Sequence, residues 1–350
     1  MQAPDRKKRL YIAYTGGTIG MRRTAEGYAP APGFLAEQMA AMPELDDPRM
    51  PCYDIHEYEP LLDSSNMRPA DWVRIGRDIV AHYDQYDGFI VLHGTDTMAY
   101  TASALPFFIQ GLAKPVLITG SQIPLAEVRN DARNSLITSM LIAGEERVPE
   151  VCLYFGNKLL RGCRSTKVHA DGLDAFDSPN YPPLGIVGVD VEIEAMHVRQ
   201  PPAAGDVHLT EFVQEAMVGA FRLFPGLSPD LLRNVLQAPL QGLVLLAYGV
   251  GNAPDRDEAL LRVIREATDR GVVVVACTQC LRGSVHLGEY ATGAALARAG
   301  VISGFDMTTE AALCKLYYLF STGHPPDEVR QMIRQDLCGE VTLPATRPVS

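Results

Sequence analysis

The sequence predicts an α/β protein of two domains: a larger N-terminal domain with a mostly parallel sheet flanked by helices, and a smaller C-terminal parallel-sheet domain. Two observations predict this fold class. Short apolar runs alternate with segments of helical periodicity, which is the pattern of a parallel sheet covered by helices. The alternation occurs twice along a chain of 350 residues, which is long for one compact core.

In the first half, each apolar run is short enough to be a buried strand, and a helix candidate lies between successive runs. The predicted strands are Leu10–Tyr14, Gly88–Leu92, Val116–Thr119 and Val151–Phe155. The predicted helices are Ala70–Tyr83, Thr97–Gln110 and Asp131–Ala143. Ligands of parallel sheets bind beyond the carboxyl ends of the strands, so polar residues that follow a strand are the first candidates for a site.

A stretch rich in Pro and Ala, Arg199–Leu209, separates the two halves. We therefore predict a catalytic N-terminal domain at 1–198, a linker at 199–214 and a C-terminal domain at 215–350. The elements predicted in the second half are Val218–Phe224, Ser228–Leu236, Leu243–Tyr248, the helix Asp257–Arg270 and Val272–Cys277, followed by two helices in the tail, Met307–Leu319 and Asp327–Leu337.

Composition narrows the location and the partners of the protein. The formal net charge is −11, which disfavours nucleic acid and anionic membranes as partners. The apolar run after the basic N-terminal residues, Leu10–Tyr14, is shorter than the roughly 7–15 residues of a signal peptide. The cysteines number seven, and an odd number fits reduced thiols better than a disulfide framework. We expect a cytoplasmic protein.

A threonine lies on each side of a glycine pair after the first predicted strand, in Thr15–Gly20 (TGGTIG). Glycines at this place allow a sharp turn and a close approach of a ligand to the backbone. The spacing is not GxGxxG and the Walker lysine is missing, which argues against a phosphate-binding loop. The pattern suggests an exposed nucleophile, and the alternative is a glycine turn with threonine caps.

A second predicted strand ends in LHGTDTM, residues 92–98, which places Thr95 and Asp96 at a strand-to-helix junction. Asp96 or Thr97 would also serve as an N-cap of the next helix. Two threonine-rich strand ends in one parallel sheet are expected to converge on one crevice, which favours catalysis. Lys167 stands in RSTKVH, and spacing alone does not bring it to that crevice.

Several further segments complete a known pattern. They are DSSNM (63–67), ITGSQIP (118–124), RNDARNSL (129–136), STKVHADGLDAFDSPNYPPLG (165–185) and YGVGNAP (248–254). Together with TGGTIG and LHGTDTMAYTASAL (92–105), they make nearly the whole chain resemble the bacterial asparaginase/glutaminase family, and within it the cytoplasmic type I enzymes. The resemblance implies hydrolysis of L-asparagine to L-aspartate and ammonia through a threonine acyl-enzyme, with minor L-glutaminase activity and without a metal or cofactor.

The resemblance implies a catalytic role for five residues. Thr18 is the implied nucleophile, and Thr95, Asp96 and Lys167 form a second group beside it. Tyr28, on the mobile loop after the first motif, closes over the substrate and helps to activate Thr18. Lys167 would act as a base only in its neutral form.

The resemblance also implies how the substrate is held. Ser64 and Ser65 bind its α-carboxylate, while Asp96, beside Thr95, holds its α-ammonium. Asn252 completes the pocket from a neighbouring subunit, which implies a homo-oligomer, either a dimer or a dimer of dimers.

Two other functions share parts of the pattern. The subunit that releases ammonia for tRNA-dependent amidation has the same threonine motifs but also an extra N-terminal domain, whereas the first motif here starts at residue 15. A non-catalytic module would bind asparagine at a regulatory site, for which Thr166 and Cys280 lie in suitable segments. Leu246 stands where such relatives have an arginine. The CxxC at 277–280 has no second CxxC or His pair, which favours a structural role.

Overall fold

The structure, a computed structural model, describes residues 6–25, 27–145, 148–202, 206–288 and 291–343. The chain divides into two compact units, residues 1–209 and 210–350. The division lies within the segment 199–214, whose role as a linker stays a prediction. Within the described ranges, every helix is too short or too polar to cross a lipid bilayer.

The first unit contains a large sheet, two-stranded ladders and four α-helices within its described residues. The strands are β1 (Arg9–Tyr14), β2 (Met21–Thr24), β3 (Gly27–Pro30), β4 (Cys52–Glu57), β5 (Gly88–Leu92), β6 (Ile109–Gln110), β7 (Val116–Thr119), β8 (Val151–Phe155), β9 (Lys158–Arg161), β10 (Thr166–Lys167), β11 (Phe176–Asp177), β12 (Gly185–Val187), β13 (Val191–Ile193) and β14 (His208–Leu209). The helices are α1 (Phe34–Ala40), α2 (Pro69–His82), α3 (Met98–Phe108) and α4 (Ala132–Glu145).

The large sheet has eight strands in the order β13-β12-β9-β8-β7-β5-β1-β4. The five strands from β8 to β4 are parallel, and β9, β12 and β13 extend the sheet with antiparallel pairs. The chain starts at β1, moves to β4 on one side and then returns to β5 on the other. The strand order therefore reverses between β1 and β5, and a crevice for ligands forms at such a reversal.

Both faces of the sheet are buried under helices. Leu10 and Ile12 of β1 pack in one core with residues of α1 and α4, while Tyr11 and Ala13 pack in the other with residues of α2 and α3. This alternation follows from the two-residue period of a strand. Because both faces are covered there, the four inner parallel strands β1, β5, β7 and β8 are mainly apolar runs, and the four strands predicted in this half are confirmed.

The second unit has a separate sheet of four parallel strands in sequence order. They are β15 (Val218–Arg222), β16 (Gly242–Ala247), β17 (Val273–Thr278) and β18 (Ile302–Ser303). The helices are α5 (Pro229–Val235), α6 (Glu258–Asp269), α7 (Ala291–Arg298), α8 (Thr309–Ser321) and α9 (Pro326–Met332). The predicted fold class, two α/β domains with the larger sheet in the first, is confirmed.

A buried ion pair ties the end of the chain to α8. Lys315 and Glu340 are both fully buried, and 2.6 Å separates Lys315 Nζ from Glu340 Oε1. Lys315 also donates hydrogen bonds to the backbone carbonyls of Ile333 and Gln335. Those carbonyls point towards the ammonium, which explains why α9 ends at Met332 although the sequence pattern predicted a helix as far as Leu337.

Candidate active site

Four neighbouring parallel strands end at one edge of the large sheet, and each is followed by a polar residue of the candidate site. In sheet order, Ser64 follows β4, Thr18 follows β1, Thr95 follows β5 and Gln122 follows β7. Thr18 and Thr95 follow the two strands between which the strand order reverses. The structure thus brings the two threonine motifs together, as the sequence predicted.

The two threonine turns touch each other through glycines. Gly17 has φ +93°, and a Cβ on it would lie 2.5 Å from the backbone nitrogen of Gly94. A Cβ on Gly94 would in turn lie 2.5 Å from Ser64 Oγ. Only glycine permits these approaches, so the motif glycines set the distance between the turn of Thr18 and the turn of Thr95.

We expect Gly17→Ala to lower kcat of the reaction at this candidate site by about 10²-fold. The new methyl group must push the two turns apart, and small misplacements of reacting groups are costly in catalysis. Gly33→Ala is the matched control, since Gly33 has φ +73° and open space around it. Steady-state kinetics of both variants check the prediction. An equal loss in both would assign the effect to backbone strain instead.

Lys167 forms a hydrogen-bonded group with the second threonine motif. Lys167 Nζ donates to Thr95 Oγ1 at 3.0 Å and to Asp96 Oδ1 at 2.9 Å. The Thr95 hydroxyl in turn donates a hydrogen bond to Gln122 Oε1 at 3.3 Å. The Lys167 side chain is 20% exposed and that of Asp96 is 66% exposed, so Asp96 retains a solvent-facing oxygen for a cation.

Gln122 was not among the residues singled out from the sequence. Its amide nitrogen donates to the carbonyls of Ala170 (3.3 Å) and Gly172 (3.1 Å), which fixes the direction of its oxygen towards Thr95. The carboxylate of Asp131 accepts the backbone N–H of Gln122. The signal was present, because Gln122 follows a third parallel strand in the same way as the two threonine motifs.

Ser64 and Ser65 lie in a short turn after β4. Ser64 is buried, and its carbonyl accepts a hydrogen bond from Thr97 Oγ1 at 2.7 Å. The hydroxyl and the backbone N–H of Ser65 both donate to Asp63 Oδ1 at 3.0 Å. Ser65 must therefore turn its hydroxyl away from Asp63 before it can donate to a carboxylate ligand.

Tyr28 lies on a β-hairpin formed by β2 and β3, and this hairpin packs against the short turn Thr18–Gly20. The ring is 47% exposed, and the hydroxyl donates to Glu127 Oε1 at 2.6 Å. This hydrogen bond raises the pKa of the Tyr28 hydroxyl above its ordinary value.

His93 is buried beneath the second motif. Its Nδ1 lies 2.7 Å from the Gly94 carbonyl, which can only accept, so Nδ1 carries the proton and Nε2 accepts from Thr101 Oγ1 at 2.8 Å. Burial lowers the pKa of His93 to about 4, and the ring is neutral at physiological pH. The Thr95 N–H belongs to the same peptide unit as the Gly94 carbonyl, so it points away from His93.

Asn252 lies in the second unit, at the carboxyl end of β16. Tyr248 and Asn252 exchange backbone hydrogen bonds of 2.9 and 2.8 Å, which closes a tight turn. Gly249 and Gly251 have positive φ within it, as such a turn requires. Across the described part of the chain, no group of three or more His, Cys, Asp or Glu side chains is arranged to hold a metal ion.

Two family models match the chain. Residues 9–199 match the N-terminal asparaginase domain, and residues 217–333 match the C-terminal domain of glutaminases and asparaginases. The chain belongs to the asparaginase family. The chain is 52% identical to L-asparaginase 1 of Escherichia coli (strain K12), over 96% of this chain and 98% of that protein.

Other matches extend this result. The structure of L-asparaginase I from Vibrio cholerae O1 superimposes with a TM-score of 0.90 and 49% identity, covering 96% of this chain and all of that chain. The 60 kDa lysophospholipase of Mus musculus is 44% identical over 97% of this chain, which spans 64% of that longer protein. Relatives with two different names are thus similar to this chain over nearly its whole length.

Proposed function

We propose that this chain is an L-asparaginase that hydrolyses L-asparagine to L-aspartate and ammonia through a threonine ester. The observation that carries the proposal is the contact between the turn of Thr18 and the turn of Thr95 and Asp96, to which Lys167 of β10 is hydrogen-bonded. A hydroxyl on a glycine turn, beside a hydrogen-bonded lysine, is an arrangement suited to acyl transfer. The name and similarity of the Escherichia coli relative support the choice of substrate.

In this mechanism Thr18 Oγ1 attacks the side-chain amide carbon of asparagine and forms an ester bond. The C–N bond breaks, the proton of the Thr18 hydroxyl passes to the leaving nitrogen, and ammonia is released. Water then hydrolyses the acyl-threonine and releases aspartate. The Thr95 N–H, which points away from His93, is suited to hold the oxyanion that forms at the amide oxygen. Loss of one such donor typically lowers turnover by about 10²–10³-fold.

Charged and polar groups around the crevice account for recognition of an α-amino acid. Asp96 retains a solvent-facing oxygen for the α-ammonium. Ser64 and Ser65, which follow β4 on the other side of β1, are placed to bind the α-carboxylate. Fixing both groups sets the distance to the reacting amide. Glutamine is longer by one methylene, which is worth only about 1–3 kcal/mol in a pocket, so minor glutaminase activity is part of the proposal.

The test is release of ammonia from L-asparagine and L-glutamine, measured with the purified protein over a wide range of concentrations. We expect asparagine to be the better substrate without any added partner protein. Lysophosphatidylcholine is tested as a third substrate, because one relative is named a lysophospholipase. No release of ammonia from asparagine by folded protein would refute the proposal, and a need for a partner subunit would favour the tRNA-dependent amidotransferase.

We further propose a homo-oligomer, a dimer or a dimer of dimers, whose smallest active unit is a dimer. Thr18, Thr95, Asp96 and Lys167 all belong to the first unit, and the Asp96 side chain is 66% exposed. Acyl transfer gains from exclusion of water. The rigid turn of Asn252, at the end of a parallel strand, is suited to cover the crevice of a partner chain, and two-fold symmetry would then complete two sites.

A mixture of two inactive variants, Thr18→Ala and Asn252→Ala, tests shared sites. In a hybrid dimer one site carries both lesions and the other carries neither, so random exchange should restore about a quarter of wild-type activity. Mass spectrometry of differently tagged chains confirms the exchange. Absence of activity after confirmed exchange would mean that each chain completes its own site or that Asn252 is dispensable.

We also place the enzyme in the cytoplasm, where it meets free asparagine and neither a membrane nor nucleic acid is a partner. Its cysteines support this location. Each of the seven lies in the described part of the chain outside any disulfide, and Cys152, Cys163, Cys277 and Cys314 are buried, as expected of a protein kept in a reducing compartment.

A further inference from the structure

A carboxylate outside the recognised motifs reaches the hairpin of Tyr28. Glu127 Oε1 accepts a hydrogen bond from the Tyr28 hydroxyl oxygen at 2.6 Å, although 99 positions separate the two residues. The backbone around Glu127 is fixed, because the Asn130 side-chain amide donates to the carbonyls of Leu125 (3.2 Å) and Glu127 (2.6 Å). Glu127 therefore presents its carboxylate from a well-held turn.

The same turn is joined to the turn of the nucleophile. The backbone N–H of Leu125 donates to the carbonyl of Ile19, which is adjacent to Thr18, at 3.1 Å. Strand β3, which carries Tyr28, packs against the turn Thr18–Gly20 as well. Glu127, Tyr28 and Thr18 thus belong to three segments that contact one another.

The direction of the hydrogen bond determines what Tyr28 can do next. A tyrosine hydroxyl has one proton, and a carboxylate can only accept. When the Tyr28 hydroxyl donates its hydrogen bond to Glu127, the Tyr28 oxygen has only lone pairs to offer to a second group. A neighbouring hydroxyl such as that of Thr18 can then bind it only as a donor, which is the direction that makes a threonine oxygen more nucleophilic.

We propose that Glu127 is a positioning residue for the reaction, which holds Tyr28 over the nucleophile turn and directs the Tyr28 oxygen to accept a hydrogen bond from Thr18. The inference rests on the proposed function and assigns a residue to it. Glu127 acts through Tyr28 and has no contact with substrate in this scheme.

A double-mutant cycle in kcat tests the coupling. We expect Glu127→Ala and Tyr28→Phe each to lower kcat for asparagine by about 10–100-fold, and the double variant to be no slower than Tyr28→Phe. Glu127→Gln keeps an acceptor oxygen and should stay within about threefold of wild type. Glu192→Ala, which removes an exposed carboxylate on β13 at the far end of the sheet, should leave kcat unchanged. Additive losses, or full activity of Glu127→Ala, would overturn the proposal.

Proteolysis of the hairpin gives a readout that does not depend on activity. Arg22 and Arg23 are exposed on β2 and are sites for trypsin. Glu127→Ala should be cut there several-fold faster than wild type, and Glu127→Gln at close to the wild-type rate. If the wild-type protein released no ammonia, the proposed function would fail while this comparison still decided whether Glu127 holds the hairpin. Equal cleavage of wild type and Glu127→Ala would show that it does not.

Discussion

Thr18→Ala is expected to lower kcat for asparagine hydrolysis by at least about 10⁴-fold, the scale on which loss of a nucleophile acts in other acyl-transfer enzymes. Thr18 lies half-buried on a three-residue turn, so the substitution removes little packing. We expect the variant to fold normally. Circular dichroism and ammonia release, measured on the same preparation, check both parts of the prediction.

Two comparisons make this experiment specific to a covalent route. Thr18→Ser retains the hydroxyl and should keep a measurable part of the activity. With hydroxylamine present, an acyl-threonine would transfer its aspartyl group and yield β-aspartyl hydroxamate, which Thr18→Ala should not form. Hydrolysis near the wild-type rate by Thr18→Ala would end the covalent mechanism.

Glu340→Gln should lower the free energy of unfolding by about 3–5 kcal/mol, because it leaves the ammonium of Lys315 buried without a compensating charge. The amide also offers a weaker acceptor to the backbone N–H groups of Leu337 and Cys338, which now bind the carboxylate. Chemical denaturation followed by circular dichroism measures the change.

Asp230→Asn is the matched control for Glu340→Gln. The ion pair of Asp230 with Arg233 is also 2.6 Å long, but both side chains are exposed. Exposed pairs typically contribute less than about 1 kcal/mol, so distance alone does not decide the effect. Similar losses in both variants would contradict the importance of burial. Replacing the buried pair by Lys315→Met together with Glu340→Leu should recover part of the lost stability.

The same ion pair gives a pH dependence with a definite sign. Burial opposes ionisation of Glu340, but the adjacent Lys315 outweighs it and lowers the pKa of Glu340 from 4.5 to about 2. The charged carboxylate therefore stabilises the fold fully above pH 4.5, and this contribution is lost as the pH falls towards 2. Glu340→Gln should accordingly show a smaller loss of stability over that interval than the wild-type protein.

The parallel strands were predictable because burial on both faces leaves a plain signal. β5 and β8 are apolar throughout, and β1 and β7 are apolar apart from Arg9 and Thr119 at their ends. The rule that ligands bind at strand ends led from these strands to Thr18 and Thr95. β4 was missed because it is the edge strand, and its residues CYDIHE are partly exposed and show no apolar run. The adjacent Ser64 and Ser65 therefore came from resemblance to the family and not from pattern.

Side-chain contacts between distant segments were beyond the sequence pattern. The place of Gln122 after a third parallel strand indicates the crevice but not its partner Thr95. Nothing local to Glu127 indicates that it meets Tyr28, because that pairing depends on the path of whole loops. The hairpin β2–β3 was expected only as a mobile loop, since MRRT and GYAP have no alternation of apolar and polar residues. Closure of this segment over the substrate stays a prediction, as does the role of Asn252.

The contact between Gly17 and Gly94 has a consequence for how activity is gained during folding. The two glycines are far apart in the chain, and they meet only after β5 has docked beside β1, a non-local pairing that carries a large loop-closure cost. Thr18 therefore meets Thr95 and Asp96 only when the centre of the sheet is complete. Recovery of enzyme activity during refolding therefore reports on assembly of that central strand pair, whereas helix signals in circular dichroism can return earlier.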